Sequence, residues 1–373
     1  MADIFDYIDW RGDIGFDRVP VNEVDSMIFS QLIYVKMQPY MPDIKKSKLT
    51  IKQLADMYLA DNNDDDIERM PGLFRNAAKL LKKIAKSKRF GRCLLTHYVY
   101  DISLEEESQF SAVTIELSDG SIFVSYSGTD HSVVGWKENF NLSYLDETPG
   151  QKKAKKYLYH VAKVYDTDMW IGGHSKGGNI AVYAATFVSQ EIKDRIINVY
   201  NNDGPGFCDD VIETPEYHEM IKKVHTYIPQ SSVIGRLMNH REKYTVVESV
   251  QKGIMQHDLY SWQVLGTKFI TLEEVTNGSE FVDKTIKEWL ENVEPEKREQ
   301  VIDVVFDILN ATDAQTMKEI KNNWFTSART MMASYKNIDN ETKDMIWKAV
   351  GELLKSAKNN IFEDFPKLPE KSK

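Results

Sequence analysis

One serine in this chain stands where it could act as a nucleophile. The run Met169-Trp170-Ile171-Gly172-Gly173-His174-Ser175-Lys176-Gly177-Gly178-Asn179-Ile180-Ala181 reads as a short apolar strand, a Gly-x-Ser-x-Gly turn and a helix of small residues. Such a strand–turn–helix is a nucleophile elbow, in which a strained backbone holds the serine oxygen clear of the chain. Gly173 and Gly177 leave room there, because a Cβ two residues either side of Ser175 would strike the neighbouring strand or helix. The helix start supplies free N–H groups that favour a developing negative charge. The five-residue pattern alone arises by chance in about one chain in ten of this length. The strand before it and the helix after it therefore do the discriminating. An ordinary glycine-rich strand–helix turn is the competing structural reading.

A serine nucleophile needs a base, an acid that orients the base, and an oxyanion hole. On an elbow the acid and the base follow the nucleophile in the chain. Four histidines do so: His218, His225, His240 and His257. His225 lies within the strand pattern of 224–228, where packing is the simpler account. His218 lies on a polar helix and His240 in a charged turn, Asn239-His240-Arg241-Glu242-Lys243. His257 follows the last strand of the core, in a loop running into a helix, from which a base can reach over the sheet to Ser175.

Asp203 ends the strand pattern of 196–202 and opens the turn Asp203-Gly204-Pro205-Gly206. It is the expected acid, against the plainer reading of a turn aspartate bonding its own backbone. Asp258 is a rival, but side chains at successive helical positions diverge. For the oxyanion hole the expected donors are the Lys176 N–H and Thr129, which follows a strand in Tyr126-Ser127-Gly128-Thr129-Asp130 and offers both an N–H and a hydroxyl. Gly128 permits close backbone approach there. Each such donor is worth about 3 kcal/mol in the transition state.

These residues need a scaffold, and 373 residues suffice for one large domain with additions, or for two to three units. A hydrophobic fraction of 42% with 28% charged residues reads as globular. The net charge of −10 argues against general nucleic-acid binding, which wants a basic face. The acidic N-terminus has no basic stretch leading into an apolar one, so no secretory signal is expected. No run of about 18 apolar residues suggests a membrane span. Two cysteines, Cys93 and Cys208, lack metal-type spacing and cannot build a disulfide scaffold. Together these features fit a reducing cytoplasm, with no metal and no cofactor.

The pattern divides the chain into a mostly helical region 1–90, an α/β core 91–270 and a helical region 271–373. Apolar spacing predicts helices over 24–37, 51–59 and 73–85. The acidic run Asp61-Asn62-Asn63-Asp64-Asp65-Asp66 lacks the glycine and final glutamate of a calcium loop and reads as a solvated loop or helix cap. In the core, β-branched and aromatic runs at 93–100, 110–117 and 121–127 predict strands, with a hairpin turn at 118–120. Helices at 152–165, 178–189 and 217–223 then alternate with strands at 169–172, 196–201, 224–228 and 244–248. The expected fold class is α/β, a mixed and mostly parallel sheet with helices on both faces. Amphipathic segments at 281–293, 296–309, 312–335 and 341–362 complete the chain.

A family resemblance rests on particular residues. Tyr126-Ser127-Gly128-Thr129-Asp130, then Trp136 and Asn139, then Gly173-His174-Ser175-Lys176-Gly177-Gly178 resemble the class 3 lipase branch of the α/β-hydrolases. Asp9-Trp10-Arg11-Gly12-Asp13, Asn22-Glu23-Val24-Asp25 and Asn202-Asp203-Gly204-Pro205-Gly206-Phe207 are similar to an uncharacterised lipase-like family of bacterial proteins. The likeness covers roughly residues 1–265. It implies an α/β-hydrolase fold, Ser175 as nucleophile, His257 as base, and the Thr129 and Lys176 amides as oxyanion donors. Three positions depart from it. Ser127 stands where the lipases usually have arginine. Their acid lies after the strand matching 224–228, but here Pro229-Gln230-Ser231-Ser232-Val233-Ile234 holds no carboxylate, so Asp203 must serve or the triad is incomplete. Lys176 replaces the usual leucine, which sets a cation beside the nucleophile and would favour anionic substrates.

The expected function is a serine hydrolase that cleaves carboxylic esters or thioesters through an acyl-enzyme on Ser175. Its substrate would be a small acyl ester or lipid-like molecule, with Trp324, Phe325, Met331 and Met332 as candidates for an acyl pocket or, more simply, for ordinary helix core. The alternative is a non-catalytic hydrolase-like scaffold whose helical C-terminal region binds a partner.

Overall fold

Apolar residues recurring at every second position have to be buried on the two faces of a sheet, and the central runs of this chain do that. The computed structural model describes residues 2–276, apart from 104, 107, 130–141, 143, 144, 146 and 233. Its main sheet contains β1 (Leu49–Thr50), β2 (Leu94–Ser103), β3 (Ser108–Glu116), β4 (Ile122–Tyr126), β5 (Met169–His174), β6 (Ile196–Asn202), β7 (Val224–Pro229), β8 (Tyr244–Val247) and β11 (Thr271–Leu272). The spatial order is β1-β2-β3-β4-β5-β6-β7-β8-β11. Pairing is antiparallel from β1 to β4, parallel from β4 to β8, and antiparallel again where β11 closes the edge. This is a mixed α/β sheet, parallel through its central strands β4–β8 and antiparallel toward both edges. A two-stranded ribbon, β9 (Val264–Leu265) and β10 (Lys268–Phe269), stands apart from it.

Each face has its own core. Ile122, Val124 and Tyr126 of β4 pack with Ile171 and Val199 against α6 (Pro149–Val164) and α7 (Lys176–Thr186). Phe123 between them turns the other way, with Trp170 and Tyr200, toward α1 (Ile4–Arg11), α2 (Glu23–Leu32), α3 (Ile51–Asp61) and α5 (Gly72–Ile84). β5, buried along its whole length, runs between these layers. Its C-terminal end is therefore fixed from both sides.

A buried ion pair fastens the N-terminal helices. Arg89 and Asp25 have fully buried side chains, with 2.5 Å between them. All five guanidinium N–H groups are used: three on the carbonyls of Ile14, Val19 and Pro20, and two on Asp25. Tyr7 donates its hydroxyl to the same carboxylate. A buried pair costs several kcal/mol per ion in desolvation unless its remaining bonds are made, and here they are. This pair orients α2, whose far end reaches the site described below.

Some expectations change. The helix predicted over 24–37 stops at Leu32, and the one predicted over 178–189 ends at Thr186, before a separate short helix, α8 (Gln190–Asp194). The acidic run starts α4 (Asp64–Arg69): Asn63 caps it, and three aspartates occupy the first turn, where the helix dipole favours them. The region expected to turn helical from 271 opens instead with β11, whose Thr271 and Leu272 pair with Val247 and Val246. An unpaired edge of β8 offers a row of hydrogen bonds, and that pairing outweighs the local spacing. The predicted helices from 281 onward, with Trp324, Phe325, Met331 and Met332, lie outside the described residues.

Candidate active site

The elbow forms where the spacing of the glycines demands it. Ser175 lies between the end of β5 and the first turn of α7 at φ 58 and ψ −131, a left-handed conformation that a non-glycine residue holds only under constraint. Its N–H donates to the Asn202 carbonyl at 3.0 Å, and its own carbonyl accepts from Gly178 at 2.9 Å. A Cβ on Gly173 would collide with the backbone of Gly177, and a Cβ on Gly177 with the Tyr126 carbonyl. Strand, helix and the end of β4 thus close on the turn to a distance that only glycine permits.

Asp203 lies one residue beyond β6 and also has a positive φ, 52°. Its N–H donates to the Tyr227 carbonyl of β7 at 2.8 Å. Its side chain is buried, and Oδ1 accepts from the Ser232 hydroxyl at 2.5 Å and the Gly235 N–H at 3.2 Å. Oδ2 accepts from His257 Nδ1 at 2.6 Å. A carboxylate held on one oxygen presents the other in a fixed direction, so the imidazole is oriented and its Nδ1 carries the proton. Ser232 lies in the segment that lacks a carboxylate. That segment contributes a clamp on Asp203 rather than an acid of its own.

His257 ends a short 3₁₀ turn, Gly253–His257. The adjacent Gln256 anchors this turn: its side chain accepts from the Ser231 N–H at 2.6 Å, and its carbonyl from the buried Trp262 indole at 2.8 Å. The His257 carbonyl accepts from His174 Nε2 at 2.9 Å, and the two rings lie 4.4 Å apart. His257 is therefore packed on the residue that precedes Ser175. The loop ends in a second 3₁₀ turn, Leu259–Ser261, where a helix had been expected. Asp258 caps that turn by accepting from the Tyr260 N–H at 3.1 Å, which gives it a local structural task.

His174 is buried, and its hydrogen bond leaves the proton on Nε2 and Nδ1 bare. Burial, with the neighbouring His257 as a smaller cause, holds its pKa well below the ordinary histidine range, so the ring stays neutral. The other histidines fall elsewhere. His218 is exposed on α9 (Pro215–Met220), His225 is exposed on β7 and stacks on Tyr200, and His240 pairs with Glu242.

On the oxyanion side, Gly128 abuts the elbow. The point where its Cβ would lie is 3.1 Å from Ser175 Cβ and 2.5 Å from both the His174 carbonyl and the Tyr34 hydroxyl. Thr129 follows it, half-buried. Lys176 opens α7, but its cation does not lie open beside Ser175 as its sequence position suggested. The side chain is buried, and Nζ donates to the Gln109 carbonyl at 2.6 Å and to Gln109 Oε1 at 3.1 Å. A cation consumed by such bonds gives no basis for a preference for anionic substrates.

Sequence reasoning missed Gly235, Gln109 and Tyr34 around this site, and singled out the segment of Ser232 only for the carboxylate it lacks. Each reaches it across a long stretch of chain, from segments without a motif of their own. Among the described residues, no group of three or more His, Cys, Asp or Glu side chains could hold a metal ion, and no helix is long and apolar enough to cross a membrane.

Comparisons with known proteins give the following. M37 lipase is similar at 14% identity and a TM-score of 0.38, over 59% of this chain and 70% of that one. A mutant form of MDLA from Penicillium cyclopium is similar at 11% identity and a TM-score of 0.40, over 68% and 86%. A Rhizomucor miehei lipase–propeptide complex is similar at 10% identity and a TM-score of 0.33, over 60% and 67%. No curated protein matches the sequence. The family model described as Mbeg1-like matches residues 84–307, which is more than half the chain, and the protein belongs to that family.

Proposed function

We propose that the protein is a serine hydrolase that cleaves carboxylic esters or thioesters through an acyl-enzyme on Ser175. The observation that carries this reading is the 2.6 Å bond from His257 Nδ1 to a buried, doubly clamped Asp203, on a loop packed against the elbow. Ser175 Oγ attacks the carbonyl carbon and gives its proton to His257 Nε2. Asp203 stabilises the imidazolium and does not take the proton. The N–H groups of Lys176 and Thr129 hold the oxyanion. Collapse breaks the bond to the leaving group, which takes the proton from His257. Water then attacks the acyl-enzyme by the same route in reverse, releasing a carboxylic acid and restoring Ser175. The resemblance of the segments at 126–130 and 173–178 to the class 3 lipases favours an acyl ester, lysolipid or thioester as substrate class, and the net charge of −10 favours a small molecule over a nucleic acid.

A fluorophosphonate probe tests this reading at pH 7–8. Labelling of the wild type at Ser175 is expected, lost in Ser175→Ala and reduced at least 10³-fold in rate in His257→Ala. A folded wild type that takes no label would sink the proposal and turn attention to a scaffold role.

A further inference from the structure

We propose that the Tyr34 hydroxyl is a third oxyanion donor, contributed to the Ser175 site by the N-terminal helical layer. The inference rests on Ser175 being the nucleophile, as proposed above. Tyr34 lies two residues past the end of α2, where its N–H donates to the Gln31 carbonyl at 3.2 Å. The residue is 6% exposed, and its ring meets that of His174 edge-on at 6.4 Å. Its hydroxyl accepts the Gly128 N–H at 3.0 Å. The hydroxyl and Ser175 Cβ both lie within 3.1 Å of the point that a Gly128 Cβ would occupy. The absence of that Cβ is what lets a tyrosine oxygen come so close to the elbow.

The chemistry follows from this placement. Because the Gly128 N–H is directed at Tyr34, the backbone before Thr129 acts on a bound substrate through the phenol. A phenol oxygen that accepts a backbone N–H is polarised and becomes a stronger donor through its own O–H. That O–H rotates about the C–O bond and can turn toward an oxyanion forming on a carbonyl attached to Ser175. A hydrogen bond from a fixed donor in a water-poor site is strongest when full charge develops, so it acts on the transition state more than on bound ester. No proton is transferred from Tyr34. It donates a hydrogen bond while the charge exists and keeps its proton when the intermediate collapses. The buried Arg89–Asp25 pair that orients α2 then bears on the site at long range.

The test compares wild type with Tyr34→Phe on a matched p-nitrophenyl ester and thionoester, with fluorophosphonate labelling in parallel. Loss of one oxyanion donor predicts a kcat about 10²-fold lower on the ester with KM within about twofold. The rate advantage of the oxygen ester over its sulfur analogue should also shrink, because a thiolate-like anion accepts hydrogen bonds poorly. A purely structural tyrosine would slow both substrates alike. If Tyr34→Phe fails to fold, 3-fluorotyrosine incorporated at position 34 keeps the volume and the hydroxyl. A more acidic phenol donates better and accepts worse, so kcat should rise about 2- to 5-fold at a pH that keeps it protonated. A fall, or no change, would mean that the oxygen only tethers Gly128 and would overturn the assignment. So would Tyr34→Phe with wild-type kcat and an unchanged ester-to-thionoester ratio while the wild type labels normally. A wild type that neither labels nor turns over would overturn this proposal and the hydrolase reading together.

Discussion

Two histidine–carboxylate pairs occur in this molecule, alike in contact and unlike in setting. His257 Nδ1 meets Asp203 Oδ2 at 2.6 Å, across 54 residues of sequence. His240 Nδ1 meets Glu242 Oε1 at 2.9 Å, across two. In both, at least one hydroxyl also bonds the carboxylate. Ser232 bonds Asp203, while Thr226 and Tyr217 bond Glu242 at 2.8 and 2.7 Å. They differ at the far side of the ring. His240 has a side chain 9% exposed, and its Nε2 is buried with no hydrogen-bond partner among the described residues. His257 is 26% exposed at its side chain and packs at a tilt on the ring of His174, the residue before Ser175. An oriented imidazole becomes a base only where its second nitrogen can reach a reacting proton. The ring of the first pair lies against His174, beside Ser175, whereas the second pair only joins α9, β7 and the turn at 239–243.

The largest effect that would break this comparison is on rate. Asp203→Asn should reduce kcat about 10⁴-fold by supporting the wrong imidazole tautomer. Glu242→Gln, the same chemical change in the other pair, should leave kcat within about twofold per folded molecule. Equal losses measured in the two variants would mean that the distinction by setting is false.

The second contrast is in acid. Burial alone would raise the Glu242 carboxyl, but the hydrogen bond and charge of His240, with Tyr217, hold it down to about 2. A carboxyl held lower in the folded state than its unfolded value of about 4.3 contributes stability above that value, and the contribution is lost as pH falls through the folded value. For Glu242 the window runs from about pH 4.5 to about 2, with on the order of 3 kcal/mol at stake. Denaturant titrations across this range should therefore show wild type losing its advantage over Glu242→Gln as the pH falls. A constant gap between the two would contradict the assignment of the low value to the His240 contact.

What could be read from the sequence follows from distance along the chain. The elbow is local: Gly173, Ser175 and Gly177 lie within five residues, and the strand and helix around them are set by their own composition. The parallel half of the sheet was legible for the same reason, since each strand from β5 to β8 carries its own apolar run. The positions of Asp203 and His257 could be expected from strand ends. The 2.6 Å between them could not, because it depends on Ser232 and Gly235 folding over the turn. Lys176 misled for a related reason. Its bond partner Gln109 lies 67 residues earlier, and no spacing rule connects them. Tyr34, 94 residues from Gly128, had no motif at all. The short strands β9, β10 and β11 escaped because two residues carry no period; their partners define them.

The finest test of the comparison lies in the clamp on Asp203. Ser232 lies in the segment at 229–234 that holds no carboxylate, and it donates to Asp203 instead. Ser232→Ala leaves Asp203 Oδ1 with the Gly235 N–H alone, at 3.2 Å. A hydrogen bond to a buried carboxylate contributes about 1.5–3 kcal/mol, but part of that loss falls on folding, and the remainder loosens the direction in which Oδ2 faces His257. The expected result is kcat about tenfold lower with KM nearly unchanged, since the substrate touches neither group. Thr226→Val is the matching change in the other pair. It removes a hydroxyl from Glu242 at 2.8 Å and should lower stability with no effect on kcat. If Ser232→Ala behaves like Thr226→Val, with stability lost and rate kept, Asp203 is held well enough by the backbone. Orientation of the carboxylate would then be set by the turn alone, and the two pairs would differ only in what lies beyond the imidazole.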